Sequence, residues 1–335
     1  MKSQRAVVLG AGAWGTALAV MLSRSGRPTT LCVRRPAQVE LLRGRSENTT
    51  YLPGIKFPPT LEISGRWPQA LAQAHIVILA IPSSLARSAI AEVVPAITAG
   101  AIVISAAKGI EQQSLVTMSA MLRELCAPGV NLAVLSGPGF AAEIAAGRPA
   151  ALVAASSDNA IACEVQQIFS NSTLRVYRSS DVLGVELAGA VKNVIAIATG
   201  IGDGLELGSS ARAAVITRGL AELARLAVAL GARFETIGGL AGLGDLVLTC
   251  TGDLSRNRAL GIRLGRGEKV SDAARFGEGQ PIAEGFANAR SVVELARRAK
   301  IEMPIVEGVY RALYEAEPPR DIVEGLLSRE LKAEF

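Results

Sequence analysis

Lysine is scarce in this chain of 335 residues: seven, at positions 2, 56, 108, 192, 269, 300 and 332, against 28 arginines. Ordinary positive surface positions have therefore gone to arginine, and a lysine kept among apolar neighbours is one that arginine cannot replace. The chemical difference is the proton. A desolvated ammonium can release one near neutral pH, whereas a guanidinium effectively cannot. Lys192 is the sole charged side chain in LAGAVKNVIAIATGIG (187–202), a setting in which an unpaired charge is costly. Gly184, Ala188, Ala196 and Gly200 recur around it at four-residue steps, and this stripe of small residues reads as room for a ligand or another surface. Lys108 follows the apolar run AIVISAA. The plain alternatives are a snorkelling helix lysine at 192 and a solvated loop lysine at 108.

Histidine is the usual proton carrier, but His75 immediately precedes the apolar IVILAIP. That puts it at the amino end of a strand, whereas ligands of open α/β sheets gather at the carboxyl ends, so a surface or capping role is expected. Cys32, Cys126, Cys163 and Cys250 lack CxxC spacing and read as reduced core residues, and no metal centre is expected. Two clusters lie further on. In GGLAGLGDLVLTCTGD (238–253), Asp245 either caps an apolar helix or orients a lysine. In DLSRNR (253–258), Ser255, Arg256 and Asn257 bring a hydroxyl, a guanidinium, an amide and free backbone N–H groups to a helix start. That combination suits a phosphate, although an ordinary cap explains Ser255 equally well.

GAGAWG (10–15) places Gly10, Gly12 and Gly15 in the G-x-G-x-x-G pattern, with Ala13 and Trp14 between, directly after the run RAVVLG. The pattern alone is weak. Following a strand and opening a helix, it is what a dinucleotide pyrophosphate requires: a tight turn, close backbone approach and a helix N-terminus. Where an NAD-preferring fold carries an acidic residue after its second strand, this chain has CVRRP (32–36). Arg34 and Arg35 would welcome a 2′-phosphate, so NADP(H) is the expected cofactor, with NAD(H) as the alternative.

These groups need a frame. Short apolar runs at 5–10, 29–34, 75–82, 101–109, 131–139 and 149–157 alternate with helical stretches at 13–25, 114–126 and 158–169, which implies a mainly parallel, doubly wound sheet. After TLRVYRSS (173–180) the pattern turns helical, at 181–200, 209–231, 240–249, 255–265, 284–299 and 303–315. The expected fold is an α/β Rossmann-type domain over 1–180 and an all-helical substrate and catalytic domain over 181–335. Asp181 is placed to cap the first of those helices, and Gly231 and Gly265 to stop later ones. No apolar run reaches the ~18 residues of a membrane span, and the basic, apolar N-terminus fits a strand, turn and helix better than a signal peptide. A cytoplasmic location is expected. The net charge of +5 is not gathered in a block, so a nucleic-acid partner is not expected, while a homodimer through the helical half is.

Taken together, GAGAWGTALA, AAKGIE, LSGPGFAAEIAAG, AGAVKNVIAIATGIGDGL and AGLGDLVLTCTGDLSRNRALG resemble, in order across residues 5–315, the bacterial NAD(P)-dependent glycerol-3-phosphate dehydrogenase family. The resemblance implies hydride transfer between NAD(P)H and dihydroxyacetone phosphate, giving sn-glycerol 3-phosphate for glycerophospholipid synthesis. It further implies Lys192 as general acid and base, Asp245 as the residue that orients it, and Lys108 as a contact to substrate and nicotinamide. Thr249 and Gly137 would line the substrate pocket, Ser255, Arg256 and Asn257 would bind its phosphate, and Trp14, Arg34, Ala141, Arg256, Ile282 and Glu284 would touch the cofactor. One departure stands out: the family has Ser or Thr after SGP where this chain has Gly139, which leaves only a backbone N–H for the substrate. Two other readings share parts of the pattern. A ketopantoate or 3-hydroxyacid reductase lacks a use for the Ser255–Asn257 cluster, and a non-catalytic NADP sensor has no need of Lys192 or Asp245.

Overall fold

The computed structural model describes residues 4–275, 283–331 and 333–334. Eight strands form one sheet: β1 (Ala6–Leu9), β2 (Thr29–Cys32), β3 (Leu61–Ser64), β4 (Ile76–Leu79), β5 (Ile102–Ser105), β6 (Asn131–Ser136), β7 (Ala150–Ala155) and β8 (Leu174–Ser179). Their spatial order is β3-β2-β1-β4-β5-β6-β7-β8. All neighbours run parallel except β6 and β7. The first six strands have the doubly wound dinucleotide-fold order, whose direction of winding reverses between β1 and β4. The helices around them are α1 (Ala13–Arg24), α2 (Pro36–Arg45), α3 (Trp67–Leu71), α4 (Ser83–Ala91), α5 (Met118–Leu125), α6 (Ala141–Ala145) and α7 (Asn159–Phe169).

The central strands are apolar throughout because both faces are covered. Val8, Leu31, Ile78 and Ile104 pack on one side and Val7, Leu9, Val77, Leu79 and Val103 on the other. β3, α2 and α3 fall in a stretch where the sequence announces nothing. β3 is a four-residue edge strand with only alternate residues buried, and α2 buries just Val39 and Leu42. Strands this short and helices this shallow carry too little periodicity to read.

From Val182 the described chain is helical: α8 (Val182–Gly204), α9 (Gly208–Ala229), α10 (Phe234–Gly238), α11 (Asp245–Thr251), α12 (Arg256–Gly265), α13 (Val270–Ala273), α14 (Glu284–Ala299), α15 (Pro304–Tyr314) and α16 (Pro319–Leu327). Asp181 caps α8, accepting from the Gly184 N–H at 2.9 Å. α8 is long and apolar enough to cross a membrane, but 83% of its most apolar stretch is buried inside the fold. It is the core helix around which the others pack.

Of the two uses that the small-residue spacing of α8 allows, close approach of another surface is the one seen at Gly200. A Cβ on Gly200 would collide with the Arg258 carbonyl and lie 2.9 Å from the Gly261 Cα, and one on Gly204 would collide with the Ile262 carbonyl and lie 3.0 Å from the Gly265 Cα. Gly200 and Gly204 thus face Gly261 and Gly265, bringing α8 and α12 together backbone to backbone rather than leaving room for a ligand. Gly265 is a packing residue, and Gly267, at φ +88°, follows the end of α12. Of the cysteines only Cys32 and Cys250 are core residues, Cys126 and Cys163 being partly exposed.

Candidate active site

α8 carries Lys192 to the carboxyl ends of the strands, where β5 delivers Lys108. Both ammonium groups meet one carboxylate. Lys192 Nζ donates to Asp245 Oδ1 at 2.6 Å, and Lys108 Nζ donates to Asp245 Oδ2 at 2.7 Å. The side chains are 7%, 13% and 1% exposed respectively. Lys192 also donates to the Thr249 hydroxyl at 2.8 Å, which itself donates to the Asp245 carbonyl at 2.6 Å. Lys108 donates to the Gly137 carbonyl at 2.9 Å and stands 5.7 Å from the centre of the Trp14 ring. Asp245 opens α11 immediately after a wide π turn, Leu240–Gly244. Its carboxylate faces the lysines instead of capping the helix.

This sharing of one anion by two cations sets the electrostatics. Burial pushes the Lys192 ammonium down to about 8, with Lys108 adding to the fall and Asp245 opposing it. Glu284, at the start of α14, is partly buried. Desolvation lifts its carboxyl above the ordinary range, against the pull of Arg256, Lys108 and Lys192. His75, by contrast, is exposed ahead of β4 and far down the sheet from these groups.

Asn193, beside Lys192, is a site residue that sequence reasoning missed. Its Nδ2 donates to the Gly189 carbonyl at 3.1 Å and the Lys108 carbonyl at 3.2 Å, and its Oδ1 accepts from Asn257 Nδ2 at 2.8 Å. Nothing in the sequence sets it apart from Thr199, the other uncharged polar side chain of α8. Asn257 Oδ1 in turn accepts from the Gly285 N–H at 2.9 Å. The Asn257 amide thus ties the head of α12 to α8 and to the start of α14. The Ser255 hydroxyl caps the same helix, accepting from the Arg258 N–H at 3.2 Å.

A cleft of about 850 Å³ joins this cluster to the glycine turn. Its walls include Gly10, Gly12, Ala13, Trp14, Arg34, Arg35, Lys108, Gly139, Ala141, Lys192, Asp245, Thr249, Ser255, Arg256, Asn257 and Glu284. Gly137 and Gly15 stand behind the wall. Gly137, at φ +117°, serves through its carbonyl, and a Cβ on Gly15 would collide with the Gly10 carbonyl. Ile282 lies outside the described residues. At Gly139 a Cβ would come within 2.7 Å of Ile144 Cδ1, so a Ser or Thr here, as in the family pattern, would require the end of the Ile144 side chain to shift.

The turn suits a dinucleotide. Gly10 sits at φ +108°, and a Cβ there would lie 2.5 Å from the Ala80 carbonyl, while the space beside Gly12, at the head of α1, is open. Among the described residues that line the cleft, Arg34 and Arg35 stand at the end of β2 with Gln38 and Tyr51. Two further supports went unread in the sequence. Asn48 is buried and donates to the Ala11 carbonyl at 2.9 Å and Thr16 Oγ1 at 2.8 Å, holding the turn from behind. Tyr51 lines the cleft and accepts from Arg35 at 3.5 Å.

Comparison with known proteins gives a consistent picture. The family model described as NAD-dependent glycerol-3-phosphate dehydrogenase N-terminus matches residues 5–162, and the corresponding C-terminus model matches residues 181–324. A glycerol-3-phosphate dehydrogenase (NAD(P)+) from Geobacter sp. strain M21 is 48% identical over 334 residues, covering 99% of both chains. The crystal structure of glycerol-3-phosphate dehydrogenase from Coxiella burnetii superposes with a TM-score of 0.93 at 40% identity, covering 98% of this chain and 99% of that one. A ketopantoate reductase structure from Ralstonia eutropha shares the fold alone, with a TM-score of 0.61 at 19% identity over 96% of this chain and 99% of that one.

Proposed function

Because the chain belongs to the NAD-dependent glycerol-3-phosphate dehydrogenase family, we propose that its two-lysine cleft is where that chemistry takes place. The protein is an oxidoreductase of the NAD(P)-dependent type, interconverting dihydroxyacetone phosphate and sn-glycerol 3-phosphate. The observation that carries the site assignment is Asp245, one oxygen on each of two ammonium groups, Lys192 buried and Lys108 partly so, at the inner end of a cleft that begins on the glycine turn.

A reduced nicotinamide cofactor bound along Gly10, Gly12, Ala13 and Trp14 supplies the hydride. What the protein must do is hold the ketone and manage its oxygen. As the carbonyl carbon is reduced, its oxygen gains negative charge and needs a proton. Lys192 Nζ donates that proton and, in the oxidative direction, removes it from the hydroxyl. Lys108 places a second positive charge beside the same oxygen, in a site dry enough for that charge to count. Asp245 fixes both ammonium groups, and Thr249 limits the directions in which Lys192 can point. At the far end of the substrate, Arg256, the Ser255 hydroxyl and the first N–H groups of α12 take the phosphate, where a dianion is favoured by both hydrogen bonds and helix polarity. Arg34 and Arg35 favour NADP(H). Glu284 and Ala141 close the cofactor side. We place this activity in the cytoplasm, supplying sn-glycerol 3-phosphate to glycerophospholipid synthesis.

The test is NADPH oxidation with dihydroxyacetone phosphate, repeated in Arg256→Ala. Turnover is expected, with the variant raising KM for the phosphorylated ketone far more than for dihydroxyacetone. Turnover on an unphosphorylated ketoacid with none on dihydroxyacetone phosphate would overturn the reading.

A further inference from the structure

The main chain that carries Lys108 is gripped from the helical half. Asn288, in α14, is 1% exposed. Its Nδ2 donates to the Lys108 carbonyl at 3.0 Å and to the Ala190 carbonyl at 3.2 Å. One amide group therefore bonds the backbones of both lysine-bearing segments, the loop after β5 and helix α8 two residues before Lys192. The next residue along, Gly109, threads a slot with no room for a side chain. A Cβ there would collide with the Ser83 hydroxyl and lie 2.8 Å from Asn288 Oδ1. That Oδ1 is buried without a hydrogen-bond partner, which costs stability. A residue kept only for packing would do better as leucine. What the amide offers in return is its pair of donated bonds.

We propose that Asn288 is a positioning residue: its amide sets the spacing between the main chain at Lys108 and helix α8, and so seats the two ammonium groups on the two oxygens of Asp245. The physical need is plain. A lysine side chain has four rotatable bonds, and only its root and its tip are fixed by neighbours. Lys108 belongs to the α/β half, while Lys192 and Asp245 belong to the helical half. Any drift of the root is passed to the tip, where a misplacement of about 1 Å can cost about 10²-fold in rate. Asn288 spans the junction at the root, and Asn193 supports it through the same Lys108 carbonyl.

The proposal rests on Lys108 and Lys192 being the reacting pair, so the test separates the two. Wild-type turnover of dihydroxyacetone phosphate answers for the functional reading. Asn288→Leu, which keeps volume without a donor, and Asn288→Ala are then compared with Lys108→Ala and with the double variants. Each single Asn288 variant should lose about 10- to 100-fold in kcat with KM for NADPH unchanged. In the Lys108→Ala background the same changes should cost nothing more, because contacting residues that act through one another are not additive. A crystal structure of Asn288→Leu, which needs no activity, should show Lys108 Nζ withdrawn from Asp245 Oδ2. Fully additive losses, a Lys108 that stays at 2.7 Å, or failure of both Asn288 variants to fold would overturn the proposal and make the residue structural.

Discussion

A lysine held near 8 is poised between its two forms at the pH of a cell, and Lys192 owes that to burial. The sign of its pH dependence follows. Ketone reduction needs the ammonium, so its rate should fall as pH rises through about 8. Oxidation of sn-glycerol 3-phosphate needs the free amine, so its rate should rise over the same interval. Lys192→Ala should cost at least ~10²-fold in kcat in both directions, and Lys192→Arg should not restore it, because arginine keeps its proton. Rate–pH profiles in the two directions check this, and parallel profiles would exclude Lys192 as the proton carrier. Lysine scarcity made Lys108 and Lys192 visible in the sequence, and the position of Asp245 before an apolar helix left two roles open. Asn193 and Asn288 were not visible. A buried amide is recognised by the carbonyls it reaches, and those lie as much as 180 residues away in the chain.

At the scale of elements, glycine spacing was the feature most easily misread. A four-residue stripe of small side chains fits a ligand wall and a close helix pair equally well, because both need only the absence of bulk. The contact of Gly200 and Gly204 with Gly261 and Gly265 settles the matter in favour of packing. It has a functional corollary, since α12 begins with Arg256 and the N–H groups proposed to bind the substrate phosphate. In Gly261→Ala the new methyl would fall on the Ile197 carbonyl and lie 2.8 Å from the Gly200 Cα. The helices must part, which should destabilise the protein by about 1–3 kcal/mol and raise KM for the phosphorylated substrate. Denaturant midpoints and steady-state kinetics measure the two effects, and an unchanged midpoint would mean that α12 shifts freely. The apolar strands β1, β4 and β5 were legible because burial on both faces leaves no alternation to confuse them. The reversal of β7 was not, since AALVAA (150–155) looks the same whichever way it runs.

In the molecule as a whole, the helical half is tied together by a buried acid far from the cleft. Glu222 of α9 is 3% exposed and accepts from the Ile305 and Val306 N–H groups at the head of α15. Desolvation pushes its carboxyl up to about 7. A raised carboxyl stabilises the fold fully below its unfolded value of 4.5, and that contribution is lost as pH rises through about 7. Over this window the loss is of the order of 3 kcal/mol. Glu222→Gln keeps an acceptor for the helix start without the titration, so its stability relative to wild type should improve as pH climbs from 4.5 to above 7. Unfolding curves at the two ends of the range provide the comparison, and a pH-independent difference would show that Glu222 does not titrate there.

Because β7 and β8 run against β1–β6, the chain reaches the foot of the sheet before α8 begins. The ten helical steps from Val182 to Lys192 then climb about 15 Å in nearly three turns, about the height of a short strand. The segment works like a screw thread, in which a single count fixes altitude and bearing together. One residue more would lift the ammonium by ~1.5 Å and swing it by ~100°, away from Asp245 and into the packed interior. What this stretch of helix encodes for the chemistry is therefore a number of residues, more than any one side chain among them.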